Sequence, residues 1–257
     1  MKKKLIRERI IKHLADYKIK ILKIDKNGIW RKKKYPHILP KEDWKKNIIP
    51  QTEYDQKIIS EIKNKNIKLH QGFHHLTSSQ ALCFNLFYPI FFAEKFDLLL
   101  DKKLHKDYIF EYIKDENENT NFDLYVETNQ AKYYFEIKYT ENEFGKAKND
   151  KRHEDKYEKI YKDKLKKFTG VTMEIFFRYY QLFRNLIYDD GYNIFVFPKD
   201  RSDLKDTIKY VIENHCKEQE EHIIILPIEE IVEIMLGSSD NKLIKHYELF
   251  RKKYLLY

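Results

Sequence analysis

The sequence predicts an α/β fold, and three observations carry that reading. FDLYVET (122–128) and KYYFEIKYT (132–140) alternate apolar and polar residues with the period of a strand. YNIFVF (192–197) and HIIILPI (222–228) read as short buried strands. A helical stretch lies between those last two runs, so the sheet begins with antiparallel neighbours and continues through crossover connections.

The elements follow in chain order. Residues 1–20 place Leu5, Ile10, Leu14 and Tyr17 at helical spacing with a basic opposite face. Between Lys26 and Pro50, three prolines and the turn signal Asn27-Gly28 interrupt any regular pattern. Arg31, Lys32, Lys33 and Lys34 form a basic run between Trp30 and Tyr35. Such a run can hold a phosphate backbone while its aromatics stack on bases, or it can be a solvated loop. The stretch 74–96 is apolar enough for a buried helix. Thr77 or Ser78 would cap its start, and Pro89 would end or kink it. Ser79, Gln80 and Asn85 inside it need polar partners, as structural hydrogen-bonders or as site residues.

DYIFEYI (107–113) reads as a strand and the acidic, Asn-rich 114–121 as a loop. The densely charged 141–168 begins as a loop and becomes an amphipathic helix with lysines outward. One helix is expected over Thr172–Asp189, carrying Arg178, Gln181 and Arg184 at intervals of three and ended by Asp190-Gly191. A last helix runs from about Ser239 to Leu255.

Composition bounds the function. Hydrophobic residues are 42% of the chain and aromatics 15%, which excludes a disordered polypeptide. The net charge of +9 raises the expectation of a polyanionic partner, although a lysine-rich composition contributes to it. The two cysteines, Cys83 and Cys216, have neither zinc spacing nor the number for a disulfide framework, so a reducing, cytoplasmic setting is expected. No apolar run reaches membrane-spanning length, and no membrane association is expected. His74-His75 precede a helix start without metal-ligand spacing and read as structural.

The chemistry concentrates in one hairpin. If Asn129-Gln130 is its loop, Thr128 faces Ala131 and Asp123 lies directly opposite Glu136. Opposed residues share a face of the sheet, so Asp123, Tyr125, Glu127, Lys132, Tyr134, Glu136 and Lys138 form a polar face. Leu124, Val126, Tyr133, Phe135 and Ile137 form the apolar one. Two opposed carboxylates repel unless a cation lies between them, and a hard divalent ion takes such oxygen ligands. Lys138 is then placed to orient a nucleophile or stabilise developing charge, and the Ile137 carbonyl is a further candidate ligand.

Asp123 followed by Glu136-Ile137-Lys138 resembles the D…E-x-K signature of the PD-(D/E)XK nuclease superfamily, with Phe122 in place of the proline of its fullest form. HLTSSQALCFNLFYPI, FEIKYTENEF and YYQLFRN extend the likeness over about 74–190, toward one bacterial restriction-endonuclease-like family. The matching positions are Ser78, Ser79, Gln80, Asn85, Asp123, Glu136, Lys138, Tyr139, Glu141 and Phe144. The resemblance implies a restriction-endonuclease-like core, a mixed β-sheet flanked by helices, over 71–257. A basic helical elaboration occupies 1–70, with DNA binding as its expected role. Catalysis would fall to Asp123, Glu136 and Lys138. Mg²⁺, with Mn²⁺ as a substitute, would be held by Asp123, Glu136 and the Ile137 carbonyl. Gln80, Ser79, Glu141 and Gln181 would support the site, with Gln80 or Glu94 filling the place of an extra acid. Arg31, Lys32, Lys33, Lys34 and Arg178 would contact DNA. The implied activity is a Type II restriction endonuclease cutting double-stranded DNA to 3′-hydroxyl and 5′-phosphate ends, a homodimer where the cut is palindromic. A repair or mobile-element nuclease and a non-catalytic nucleic-acid-binding module are the alternatives.

Overall fold

The computed structural model describes residues 2–100, 105–116, 118 and 120–256. Helix α1 (Lys2–Lys20) opens the chain, followed by the hairpin β1 (Gly28–Trp30) and β2 (Lys33–Tyr35), then α2 (Asp55–Asn64) and α3 (Ser79–Phe92). Three strands come next, β3 (His105–Asp115), β4 (Thr120–Thr128) and β5 (Lys132–Ile137). Short helices α4 (Lys151–Lys156), α5 (Met173–Arg178) and α6 (Tyr180–Leu186) lead to β6 (Tyr192–Phe197) and α7 (Ser202–His215). The chain closes through β7 (Ile223–Pro227), α8 (Ile228–Leu236) and α9 (Asn241–Tyr254). The main sheet has the order β3-β4-β5-β6-β7, antiparallel from β3 to β5 and parallel from β5 to β7.

The β4–β5 register is the one the alternation predicts: Leu124 pairs with Phe135, Val126 with Tyr133 and Glu127 with Lys132. Thr128 N donates to Ala131 O at 2.9 Å to close the turn. Leu124, Val126, Tyr133, Phe135 and Ile137 are buried in one core with Leu82, Leu86 and Phe87 of α3 and with the apolar stripes of α2, α8 and α9. The opposite face is not simply polar. Tyr125 and Tyr134 pack with Phe122, and farther along the sheet Phe195 and Phe197 meet α5, α6 and α7. Both faces are therefore covered by helices, which is why Glu136 and Lys138 on the second face are buried and not solvated.

Several sequence expectations change. Pro89 neither ends nor breaks α3, which runs on to Phe92. Proline lacks the N–H that would donate to the Asn85 carbonyl. His246 Nε2 of α9 takes that carbonyl instead, at 2.7 Å, and the Tyr247 hydroxyl donates to the neighbouring Leu86 carbonyl. Gly28 is not a turn residue but the first of β1, and the turn falls on Arg31 and Lys32, whose φ values are 46° and 66°. Glycine is required at 28 because a Cβ there would lie 2.1 Å from the Leu39 carbonyl oxygen. Leu5 is 57% exposed, while Ile10, Leu14 and Tyr17 are buried as expected. Helices α2 and α8 have no counterpart among the expected elements.

The first 70 residues share a core with the rest. Ile10, Leu14, Leu39, Ile48 and Ile58 belong to the cluster that contains Phe87 and Phe135. Asn47 adds a buried polar joint, donating to the Phe73 and His75 carbonyls and accepting from Lys253 Nζ. Among the described residues no helix is long and apolar enough to cross a membrane.

Candidate active site

Asp123 sits one residue beyond the last ladder pair of β4 and β5, Leu124 with Phe135. There the strands part, and Asp123 Oδ2 accepts from Ile137 N at 2.7 Å. A side chain thus replaces a ladder bond, and the acid is pinned to the backbone between Glu136 and Lys138. Glu136 and Lys138 follow on the same face and are only 3% and 7% exposed. Lys138 Nζ lies 2.7 Å from Glu136 Oε1. The Glu136 carboxylate also accepts from Gln181 Nε2 at 2.7 Å and from Asn185 Nδ2 at 3.1 Å.

These groups are electrostatically coupled. Burial, then the charges of Glu136 and Glu111, push the Asp123 carboxyl well above its ordinary value, against the pull of Lys138 and the Ile137 N–H. Burial alone would lower Lys138, but Glu136, Glu141 and Asp123 outweigh it and hold the ammonium above its ordinary value. A bound cation would answer the strain on Asp123, because it stabilises the ionised acid. The donors are hard oxygens, the set that suits Mg²⁺, which needs one or two carboxylates with waters and phosphate completing its shell. No group of three or more His, Cys, Asp or Glu among the described residues is arranged to hold a metal ion by itself. The Glu136 oxygens face Lys138, Gln181 and Asn185.

Gln181 arrives by a device that the sequence hides. The single helix expected over 172–189 is broken at Tyr179 into α5 and α6. The loop after β5 inserts into the break: Ala147 N donates to Phe177 O at 2.9 Å, and Gln181 N donates to Gly145 O at 3.0 Å. An unbroken helix would have joined Gln181 N to Phe177 O. The side chain turns inward, its Oε1 accepting from Lys138 Nζ at 2.9 Å and from Gly145 N at 3.2 Å. Arg201 secures the same loop from below, with its guanidinium donating to the carbonyls of Tyr139 and Glu141.

Other expected residues stand elsewhere. Gln80 is used structurally: its Oε1 accepts from His70 N at 2.8 Å and its Nε2 donates to Lys68 O at 3.1 Å. Ser79 only opens α3, which Ser78 caps through Ala81 N. Glu94 is exposed beyond the far end of α3. Glu141 Oε2 accepts from Tyr139 N at 2.6 Å, so it bends the chain after the site and contributes charge to Lys138. Arg178 is exposed and lines a cleft with Lys146, Asn149 and Glu174. Arg184 braces β4 through Thr120 Oγ1 at 3.0 Å. Arg31, Lys32, Lys33 and Lys34 are all exposed on the β1–β2 hairpin. Gly28 N ties that hairpin to Ile38 O, and residues 37–39 are tied in turn to the segment before α3 by Leu39 N to His74 O and by Leu76 N to His37 O. His75 is pushed down to about 4 by burial and then by its histidine neighbours, consistent with a structural role for the pair.

Two residues were given no place in the site by sequence reasoning. Asn185 touches Glu136 from the same broken helix. Glu111 stands opposite Asp123, because Phe110 pairs with Leu124 and Tyr112 with Phe122 on either side of them. Glu111, Asp123 and Glu136 thus form one row across three strands. Glu111 holds a φ of 55° within its strand, and its carboxylate meets His70 Nε2 at 3.2 Å and Asn121 Nδ2 at 2.8 Å. The signal was the second glutamate-bearing strand, DYIFEYI, but its register depends on a loop whose length the pattern leaves open.

A family model described as restriction endonuclease associating with ARP matches residues 11–255. This chain belongs to that family. No curated protein and no solved structure matches it. Membership identifies the chain as restriction-endonuclease-like, an affiliation that suggests a nuclease and implies DNA as its substrate, and the mixed sheet flanked by helices agrees with that core. The match takes in the basic hairpin as well as the acids.

Proposed function

We propose that this protein is a Mg²⁺-dependent endonuclease of the Type II restriction kind, hydrolysing phosphodiester bonds of double-stranded DNA. The observation that carries the reading is the buried Glu136–Lys138 pair beside Asp123, in a chain whose family is one of restriction endonucleases. Asp123 and Glu136, with the Ile137 carbonyl, would hold the cation. When bound, such an ion polarises a phosphate and lowers the pKa of a coordinated water. Lys138 keeps its charge by virtue of its carboxylate neighbours and offers it to the phosphate oxygens. Asn185 and Gln181 hold the Glu136 carboxylate. The hairpin lysines, residues 146–167 and Arg178 would contact the DNA backbone, and a palindromic cut would require two copies of the chain.

Incubation of supercoiled plasmid with the purified protein and Mg²⁺ tests this. Discrete bands are expected, lost in Asp123→Ala and reduced at least about a hundredfold in Lys138→Ala. A smear, or preference for branched substrates, would favour a repair nuclease, and binding without cutting would favour a non-catalytic module. If both variants cut like the parent, the site is misassigned.

A further inference from the structure

Resting on that reading of the site, we infer that Gln181 is a positioning residue. Its amide sets the Lys138 ammonium against Glu136 and ties both to the loop that follows the catalytic strand.

The amide serves three neighbours at once. Nε2 donates to Glu136 Oε1 at 2.7 Å, and Oε1 accepts from Lys138 Nζ at 2.9 Å and from Gly145 N at 3.2 Å. The partners fix which end is oxygen, since an ammonium and an N–H both require an acceptor and a carboxylate requires a donor. The backbone is broken to deliver it. Gln181 N leaves the helical pattern for Gly145 O, and the Phe177 carbonyl it would have used goes to Ala147 N. The same loop runs on to Lys146 and Ala147, which line the exposed cleft with Arg178. A duplex seated in that cleft would press on the loop whose backbone holds Gln181, and through Gln181 on Lys138.

The test compares Gln181→Ala with the isosteric Gln181→Glu. Single-turnover cleavage should slow by roughly tenfold or more in both, the usual size of an effect exerted through a ligand's neighbour, with the duplex Kd unchanged. A role confined to packing or to the helix break predicts parental rates for the Glu variant, which keeps shape and the acceptor for Gly145 N. A positioning role predicts that it cuts no better than the Ala variant, because a second carboxylate competes with Glu136 for Lys138. Should the Ala variant fail to fold, the Glu variant decides. Nitrogen NMR of lysine side chains supplies a readout that needs no activity: the Lys138 ammonium signal of the cation-free protein should shift in both variants. Parental cleavage in either variant, an unmoved Lys138 signal, or a loss of duplex affinity that accounts for the slower cutting would overturn the inference. If the parent protein cuts no DNA with Mg²⁺, the reading of the site itself fails, and the Lys138 signal then reports on the geometric link alone.

Discussion

At the scale of single residues, two aspartates carry opposite linkages to pH. Asp123 has a folded pKa raised by burial first and then by Glu136 and Glu111. Its contribution to stability is complete below the unfolded value of about 3.9 and is lost as pH rises through the folded value. Asp123→Asn, which retains an acceptor for Ile137 N, should therefore raise the Tm of the cation-free protein at neutral pH. A Tm series in falling pH should show the gap closing near pH 4. Asp190 behaves in reverse. Burial opposes its ionisation, but hydrogen bonds from Lys114 and Lys132 prevail and bring it down to about 2. Its contribution is present above about 3.9 and is lost as pH falls toward the folded value. Asp190→Asn should lower the Tm at neutral pH by a small amount, since the side chain is 43% exposed and solvent screens the pairs, and the gap should close only as pH falls through and below the folded value. The burial and the neighbouring carboxylates that raise Asp123 thus set its ionised form against the fold.

At the scale of elements, α3 shows how a sequence breaker is absorbed. The rule that proline ends a helix rests on an unpaired carbonyl and a steric clash. Here the carbonyl freed by Pro89 is taken up by α9, which no local pattern could announce. One turn earlier, Asn85 does the reverse work and turns helix polarity outward. Its Oδ1 accepts from Ile49 N at 2.8 Å and its Nδ2 faces the carbonyls of Asn47 and Ala81. Asn85→Ala would strand Ile49 N in the core, and urea denaturation should report a loss of about 3 kcal/mol, since each orphaned buried polar group costs roughly 1–3. The broken α5–α6 unit is the second case. YYQLFRN has helical periodicity throughout, and nothing in it marks Tyr179 as a break. The cause lies some thirty residues away, in a loop whose backbone competes for the same hydrogen bonds.

At the scale of the whole molecule, the central sheet lies between two helical layers, and the N-terminal third is part of the outer layer and its core. Lys253 illustrates the closeness of that joint. It is fully buried against Asn47, where burial forces its pKa well below the ordinary lysine value. The basic hairpin is therefore carried on a fixed base and not on a free module. Replacing Arg31, Lys32, Lys33 and Lys34 together with alanine should leave the Tm nearly unchanged, because all four are exposed. DNA affinity should fall and its salt dependence should flatten, by about 0.9 in the log–log slope for each phosphate that the hairpin no longer neutralises. An unchanged slope would remove the hairpin from the DNA-binding surface.

The amino-acid sequence by itself determined the α/β class, the β4–β5 register and the row position of Asp123, Glu136 and Lys138. The class follows from the order of strand-like and helical stretches, and the register and the row follow from short-range facts, a period of two and a tight turn at Asn129-Gln130. It also carried the resemblance that the family match bears out. Tertiary structure alone decided that Gln80 serves the backbone while Gln181 serves Glu136 and Lys138, and that Glu111 joins the acid row. The two glutamines are alike as residues. Which of them reaches the acids depends on contacts between segments far apart in the chain, the 68–70 loop in one case and the 145–147 loop in the other, and those contacts leave no periodicity to read.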